Sequence, residues 1–485
     1  MGANEVTLVT KDSRQRTEDA ITRELQALRE LGNRGLLNQK PDRTFGLEGE
    51  AWLCDSEGRP WHNQNLKILK RLSGHPIAPE LGAQIEINAL PLPLTGEPFT
   101  AMADQLQAEH EALNRVIEAH DVKLVRIGSL PTLKASDITP NRITKVDRYR
   151  DLNTALWKDK DPYPLPSLDK PHTQIMAESV AFESQITSIQ PHIKPASLDE
   201  FVRMYNRGLI ILPLVLALSA NAPYLLGEKF WADSRWPIFM AGTRGRADWN
   251  PGYIEHWLDP FTHTADTESF PPLLHPDVEA DPDPLKAVRS GEIPDLHYLK
   301  TQNGTVWPMG LRGVIDTSAD DPHVRIEARA LPAGPTTIDE LANTALLFGG
   351  MLSIALDKFR SMPYYYVRYN YLLAARHGLN AKLWWPSPKG IDQTSVCDLV
   401  KRLLPAITQG LTNAGIEADE AKRYLDVIKQ RIKSRQNGAT FQVDRVHQLE
   451  TAGRLNHADA LRAMLDEYIE LAADNQPVAT WPTCR

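Results

Sequence analysis

The sequence predicts an α+β fold, a largely antiparallel, curved sheet with helices on one face and an open polar active-site face on the other. Segments 44–54 and 323–331 alternate strictly between apolar and polar residues, as half-buried strands do. Amphipathic helices separate the strand segments, and the chain from about residue 396 onward is mostly helical. We therefore predict a main domain over residues 1–395. A helical extension over residues 396–485 packs on it as a structural cap or a homo-oligomer contact.

The segment Thr44–Cys54 is central to this prediction. Its alternation places Phe45 and Leu47 on one face of a strand and Glu48 and Glu50 on the other, because successive side chains point to opposite faces. The two carboxylates would then lie about 7 Å apart. They repel each other unless a cation lies between them, and a divalent cation that prefers oxygen ligands suits such a pair. Taken alone, these residues fit an edge strand with a solvated face equally well.

The remaining elements follow from the same periodicities. Helices are predicted over 15–31 and 100–120, from a Ser197 cap towards 218, and from a cap at Thr337 onward. Further strands are predicted over 79–88, 122–130, 183–194 and 323–331. Residues 131–171 are interpreted as a long insertion and 222–322 as loop-rich. Charged helices are predicted over 417–434 and 457–473.

Composition limits the partners and the compartment. The 485 residues carry a net charge of −8, which gives no support to a nucleic-acid or anionic-membrane partner. The longest apolar run, 209–217, is too short to cross a bilayer. The three cysteines, Cys54, Cys397 and Cys484, show no metal spacing, and the N-terminus has no apolar signal core. These features predict a cytoplasmic protein without a disulfide framework.

The polar faces of the predicted strands would form one site if the strands are neighbours. The polar residues on these faces are Glu48, Glu50, Glu86, Gln190, His192, Glu327 and Arg329. Such a set suits two or three Mg²⁺ ions, or Mn²⁺ in their place, which bind substrate phosphates. A nearby guanidinium would stabilise a transferring phosphoryl group. His192 fits a hydrogen-bonded core histidine as well as a metal ligand. The pair Glu327 and Arg329, taken alone, fits a surface ion pair.

Other catalytic motifs are absent from the sequence. The chain has no GxxxxGK[ST] loop, no GxGxxG at the start of a helix after a strand, no serine-nucleophile elbow and no HExxH. The polar face therefore favours metal–phosphate chemistry over hydride transfer or acyl-enzyme chemistry.

An ordered set of segments resembles the carboxylate–amine ligases related to glutamate–cysteine ligase. The matching segments are FGLEGEAWL (45–53), ELGAQIEIN (80–88), ITSIQPHIK (186–194), LALSANAPYLLG (216–227), NGTVWPMGLR (303–312), HVRIEARALPAGPTTIDELAN (323–343) and SRQNGATFQ (434–442). The resemblance implies a glutamine-synthetase-like catalytic fold. It also implies ATP as co-substrate, Mg²⁺, a small-molecule carboxylate, with glutamate as the expected donor, and an amine acceptor.

The resemblance also implies roles for individual residues. The implied metal ligands are Glu48, Glu50, Glu86, His192 and Glu327, with Glu80 as a weaker match, and the implied catalytic residues are Arg329, Glu50 and Glu327. The implied ATP- or substrate-binding residues are Arg329, Arg235, Arg312, Gln190 and Asn221. The sequence departs from the family at Ala220–Pro223, which reads ANAP where ANSP is more common. The missing hydroxyl puts the substrate pocket in question.

Two other functions fit the same fold. Guanidino kinases transfer a phosphoryl group without forming an amide, so their phosphorylated product distinguishes them from a ligase. A non-catalytic nucleotide- or amino-acid-binding module would keep the sheet without turnover. The clustered carboxylates argue against this second function, because a site without turnover has no need of clustered like charge.

Overall fold

The fold is described from a computed structural model for residues 6–165, 175–246, 251–308, 310–318, 320–452 and 454–483. Its main feature is an open, eight-stranded sheet in which every pairing is antiparallel. The strands are β1 Val6–Leu8, β2 Thr44–Cys54, β3 Ile77–Pro79, β4 Gln84–Pro93, β5 Lys123–Val125, β6 Tyr163–Pro164, β7 Met176–Ala177, β8 Ser188–Lys194, β9 Tyr224–Leu225, β10 Glu228–Lys229, β11 Leu274–Pro276, β12 Leu311–Asp316, β13 His323–Ala328, β14 Leu331–Pro332, β15 Lys382–Ser387 and β16 Gly390–Ser395.

The central strand of the main sheet is β2. The strand order is β12-β13-β8-β2-β4-β3, with β14 also paired to β8 and β5 to β2. Phe45 of β2 packs between Phe99 and Phe348, each with a ring-centroid separation of 5.7 Å. This apolar face of the strand is buried, as alternation predicts, so Glu48 and Glu50 lie on the opposite face.

The described residues also form helices. They are α1 Lys11–Asn33, α2 Asn65–Leu69, α3 Pro98–Ile117, α4 Asp147–Trp157, α5 Leu198–Ser219, α6 Arg235–Gly242, α7 Asp259–Thr264, α8 Pro284–Ser290, α9 His297–Gly304, α10 Thr337–Leu352, α11 Tyr364–His377, α12 Val396–Asn413, α13 Ala418–Ser434, α14 Gly438–Thr451 and α15 His457–Ala473. Helices α3, α5 and α10 pack on the sheet. With 51% helix and 18% strand, the predicted α+β class is confirmed.

Several strand boundaries differ from the prediction. The segment predicted over 79–88 is two strands, β3 and β4, because Gly82 adopts a positive φ of 71° in a turn between them. Glu80 therefore lies in this turn rather than on a strand face. The segment predicted over 122–130 keeps only β5. The residues after β5 form no strand and make hydrogen bonds to other segments instead. Gly128 N donates to Asn221 O at 3.1 Å, and Thr187 Oγ1 donates to Ile127 O at 2.5 Å.

The other differences concern loops. The fourth predicted strand begins at Ser188, because a 3₁₀ helix occupies Val180–Gln185. The predicted insertion contains helix α4, and its end from residue 166 lies outside the described residues, as does Cys484. The predicted loop-rich region contains helices α6–α9 and strand β12. The Ser197 cap is confirmed, but the cap of α10 is Thr336 rather than Thr337.

Helix α5, with 22 residues, is long and apolar enough to cross a membrane. The continuous apolar run 209–217, which is too short to do so, is only part of this helix. However, 89% of its apolar window is buried inside the protein, where it packs on α10 and the sheet. Its hydrophobicity is therefore that of a core helix.

The predicted C-terminal helices are present as α12–α15, and the predicted division at residue 395 stays a prediction. Helices α12 and α13 pack on α10, where buried Arg431 bonds to Asp339 Oδ1 at 2.8 Å and to Asn343 Oδ1 at 2.6 Å. Helices α14 and α15 join a separate apolar cluster that includes Trp52 of β2.

A buried carboxylate links α1 to α9 and predicts a pH-dependent stability. Burial raises the pKa of Glu24 to about 7, although Leu299 N donates to its carboxylate at 2.8 Å. Because the folded state binds this proton more tightly than the unfolded state, the stabilisation is complete below pH 4.5 and is lost as pH rises to about 7. We expect Glu24→Gln to raise the free energy of unfolding at pH 8 by roughly 1–3 kcal/mol and to have little effect near pH 5.

Denaturant unfolding at the two pH values measures this difference. The control is Asp19→Asn, an exposed acidic residue on the same helix, which should change stability little at either pH. Equal effects of Glu24→Gln at pH 5 and pH 8 would contradict the prediction.

Candidate active site

Strand register brings three of the predicted metal ligands together. On β8, Gln190 lies opposite Glu48 of β2, and His192 lies opposite Gly46. His192 also lies opposite Glu327 of β13. One ligand atom each from Glu48, His192 and Glu327 lies within 4.8 Å of the others. We call this group the three-ligand cluster.

The other two predicted carboxylate ligands lie on β2 and on its neighbour β4. Glu86 of β4 is the register partner of Glu50 on β2. Asn88 Nδ2 donates to Glu86 Oε1 at 3.0 Å. Like charges directly opposite each other destabilise a sheet, so this arrangement favours a bound cation.

Two arginines, Arg312 and Arg329, compensate the charge of the three-ligand cluster. Glu327 is fully buried, which raises its pKa, but Arg312 and Arg329 outweigh burial and hold the pKa at about 2. Arg312 Nε donates to Glu327 Oε2 at 2.7 Å, and Arg329 Nη1 donates to Glu327 Oε1. Burial likewise raises the pKa of Glu48, but the nearby His192 lowers it well below its usual range. Both carboxylates are therefore ionised at neutral pH.

The pair Glu50 and Glu86 lacks comparable compensation. Burial, followed by repulsion from Glu80, raises the pKa of Glu50 to about 7. Burial, followed by repulsion from Glu48 and Glu80, raises the pKa of Glu86 well above its ordinary value. Two carboxylates with raised pKa values on one strand pair are a region of excess negative charge, which a divalent cation would neutralise.

Gln190 connects the two regions of the site. Its Nε2 donates to Glu50 Oε1 at 3.0 Å, and its Oε1 accepts from Arg329 Nη1 at 2.8 Å. Ser188 N also donates to Glu50 Oε2 at 2.7 Å. The side chain predicted to contact ATP or substrate thus holds both Glu50 and Arg329 in place.

The carboxylate oxygens and the imidazole of this site fit a divalent metal, provided that His192 can offer a ring nitrogen without its proton. Its buried Nε2 lies 3.2 Å from Glu48 Oε1, yet makes no well-formed hydrogen bond with any described residue. Its Nδ1 accepts from Arg325 Nε at 3.2 Å, so the proton of the neutral ring is placed on Nε2. Metal binding at Nε2 therefore requires the partly exposed Arg325 to release Nδ1.

The predicted binding residues Arg312, Arg235 and Asn221 have different surroundings. Arg312 Nη1 is buried and has no acceptor within the described chain, which makes it available to an anionic ligand. Arg235 bonds through Nε to Asp233 at 3.0 Å and through Nη1 to Leu331 O at 2.9 Å.

Asn221 belongs neither to the three-ligand cluster nor to the pair Glu50 and Glu86. It is fully buried and donates to Ala333 O at 2.7 Å and to Tyr468 Oη at 2.9 Å, while Gln442 Nε2 donates to its Oδ1 at 2.8 Å. These contacts hold the 220–223 segment against the C-terminal helices.

Sequence reasoning did not select Glu183 or the aromatic residues of the adjoining pocket. Glu183 lies in the 3₁₀ helix before β8, where neither strand nor helix periodicity assigns a face. The pocket extends from Glu50 and Arg329 to Trp236 and Phe239 of α6. Short, irregular elements of this kind carry little periodic signal.

Comparison with known proteins identifies the family. The model of "Glutamate-cysteine ligase family 2 (GCS2)" matches residues 44–459, most of the chain. The chain belongs to glutamate–cysteine ligase family 2. The predicted resemblance is thereby confirmed, and family membership supports an amide-forming carboxylate–amine ligase. No curated protein sequence matches the chain.

Solved structures share the family's fold. A bifunctional glutathione synthetase from Pasteurella multocida is 12% identical with a TM-score of 0.51, covering 93% of this chain. The chain spans only 55% of the length of that enzyme. A glutamate–cysteine ligase from Francisella tularensis, solved in complex with AMP, is 13% identical with a TM-score of 0.52, covering 92% of this chain and 96% of that one. At these identities the likeness shows the fold alone.

The three-ligand cluster predicts a measurable metal affinity. Glu48→Gln removes one anionic ligand at similar volume, so we expect it to weaken Mn²⁺ binding by at least about tenfold. Electron paramagnetic resonance of free Mn²⁺ during a titration measures this affinity. Glu57→Gln, a change at an exposed residue, is the control and should bind as the wild type does. Equal affinities of the Glu48 variant and the wild type would contradict the assignment.

Proposed function

We propose that this protein is an ATP- and Mg²⁺-dependent carboxylate–amine ligase that activates glutamate and joins it to an amine as a γ-glutamyl amide. Family membership supports the amide-forming class. The observation that carries the proposal is the convergence of Glu48, His192 and Glu327 beside Arg312 and Arg329. Carboxylates for a metal and guanidinium groups for a phosphoryl group are the parts that phosphoryl transfer needs.

Each residue of the site would have its own role in the reaction. Glu48, Glu50, Glu86, His192 and Glu327 would hold Mg²⁺, two or three ions with Mn²⁺ as a substitute. Bound Mg²⁺ would neutralise charge on the nucleotide phosphates. Arg329 and the unpartnered Nη1 of Arg312 would contact oxygens of the transferring phosphoryl group. Gln190 would keep Arg329 in position.

The reaction would run in two steps. The donor carboxylate attacks the γ-phosphorus of ATP, ADP leaves, and an acyl phosphate forms. The amine nitrogen then attacks the acyl carbon, the carbon–oxygen bond to phosphate breaks, and inorganic phosphate leaves with that electron pair. Orientation of the reactants beside fixed charges accounts for most of the acceleration expected in such a reaction.

The substrates and the compartment are part of the proposal. The resemblance implies glutamate as donor and a small-molecule amine as acceptor. The net charge of −8 is consistent with the absence of a nucleic-acid partner. A cytoplasmic location fits two buried, free cysteines, Cys54 and Cys397.

Removing one acidic ligand tests the chemistry. Glu50→Gln keeps the volume and an oxygen that accepts from Ser188 N or Gln190, so we expect a folded protein. We expect at least about a hundredfold loss of ligase turnover at saturating Mg²⁺, because the charge that binds the cation is gone. ADP release coupled to amide formation measures turnover, and Glu57→Gln is again the control. Near-normal turnover of Glu50→Gln would refute the role of this carboxylate.

A product analysis separates the ligase from the kinase. ADP release is measured with the twenty amino acids, singly and in pairs. We expect glutamate-dependent release of ADP and inorganic phosphate together with an amide. A phosphorylated amino compound without free phosphate would instead support the guanidino-kinase alternative. Absence of Mg²⁺-dependent ATP binding in calorimetry would support the non-catalytic module.

A further inference from the structure

A pocket beside the carboxylates has walls unlike those of a metal site. It shares Glu50 and Arg329 with the candidate active site, and the rest of its lining includes Glu183, Trp236, Phe239 and Tyr371. It is therefore next to the place where the proposed acyl phosphate would form. Aromatic rings do not bind Mg²⁺, but they contact hydrocarbon groups and attract organic cations.

Glu183 places a carboxyl group in this pocket that has no ion-pair partner among the described residues. Its carboxylate makes no hydrogen bond or ion pair with another described residue, and it does not belong to the three-ligand cluster. Burial, with repulsion from Glu80 and Glu50, raises its pKa well above the ordinary value, and the more distant charges of Arg329 and Arg148 offset this only in part. A carboxylate in this position would be stabilised by an incoming cation.

The pocket wall is held firmly against Glu183. Helix α6, which carries Trp236 and Phe239, approaches the 3₁₀ helix through Gly242, where an added Cβ would lie 2.8 Å from Glu183 Cβ. Trp157 Nε1 donates to Gly242 O at 3.0 Å, and Trp236 stacks on Trp231 with ring centroids 5.8 Å apart. On the other side, Gln84 Nε2 donates to Ser184 O at 2.7 Å.

The two arginines that line the pocket, Arg235 and Arg329, bond to other groups of the protein. Arg235 bonds to Asp233 and to the carbonyl oxygens of Ala330 and Leu331. Arg329 bonds to Glu327 and Gln190, and the proposed function directs its remaining N–H groups to the phosphoryl group. A carboxylate on the bound amine would therefore meet Glu183 and Glu50, while both arginines of the described lining are already paired with other groups.

We propose that this pocket binds the amine acceptor and that Glu183 pairs with its ammonium group. The acceptor class is a primary amine with an aromatic or apolar body and no carboxylate next to the amino group. This inference rests on the proposed function and deepens it. In the amide-forming step, one ammonium proton passes to Glu183 and the free amine attacks the acyl carbon. The nitrogen then loses its second proton to the departing phosphate as the carbon–oxygen bond breaks.

Matched pairs of compounds test the acceptor class. Phosphate release is measured with Mg²⁺, ATP and glutamate, and with phenethylamine against phenylalanine, tyramine against tyrosine, and cysteamine against cysteine. We expect the amine of each pair to give a kcat/KM at least about tenfold above that of its amino acid. A preference for the amino acids would overturn the proposal.

Glu183→Gln tests the pairing residue. We expect kcat/KM for the best amine to fall at least about tenfold, because both the ion pair and the proton acceptor are lost. Glutamate-dependent ADP formation without amine, in which the acyl phosphate decays in water, should stay within about twofold of wild type. Glu178→Gln, an exposed neighbour in the chain, is the matched control and should change neither value.

ADP formation without amine and amide formation with amine are measured side by side. Together they show whether the amine pocket or the ligase function itself is wrong. If the wild type forms no ADP with glutamate and any amine, the proposed function fails. If Glu183→Gln loses the amine-independent reaction as well, Glu183 belongs to the metal-binding carboxylates and the amine pocket is overturned. An unchanged kcat/KM for the amine in the folded variant overturns it too. Phe239→Ala gives a second readout, since it should weaken phenethylamine more than cysteamine.

Discussion

The antiparallel pairing of β2 between β8 and β4 is the constraint on which the site depends. Burial of Phe45 and Leu47 against the helical layer fixes which face of β2 carries Glu48 and Glu50. A shift of the register by one residue would turn both carboxylates into the apolar core. The hydrophobic effect thus positions the charged groups, although it contributes nothing to their chemistry directly.

Charge is distributed unevenly across the open face of the sheet. Around Glu327, the guanidinium groups of Arg312 and Arg329 balance the carboxylates, so the fold accommodates these charges without a ligand. Around Glu50 and Glu86 the carboxylates outnumber nearby cations, and their ionisation opposes folding until a cation binds. Binding of cations would therefore stabilise the protein as well as complete the site.

Sequence periodicity was sufficient for the parts of the site that lie on regular strands. The alternation of 44–54 and of 323–331 placed Glu48, Glu50 and Glu327 on one face, and β2 and β13 carry them there. It was insufficient for Glu183, which lies in a 3₁₀ helix, and for β12, whose short segment lies among loops. Only the resemblance indicates Arg235 and Asn221, and sequence patterns cannot foresee their contacts with Leu331 and Gln442, which are distant in sequence.

The side-chain amide of Gln190 couples Glu50 to Arg329. One end donates to Glu50 and the other accepts from Arg329, so neither neighbour can move without turning the same planar group. A cation that draws Glu50 away would also weaken the bond to Arg329, which would keep its ion pair with Glu327. An anion that draws Arg329 away would also weaken the bond to Glu50, which would keep its bond from Ser188 N. Thermodynamic linkage makes such an effect reciprocal. The two ligands of opposite charge would then bind cooperatively, through a side chain that need not touch either of them.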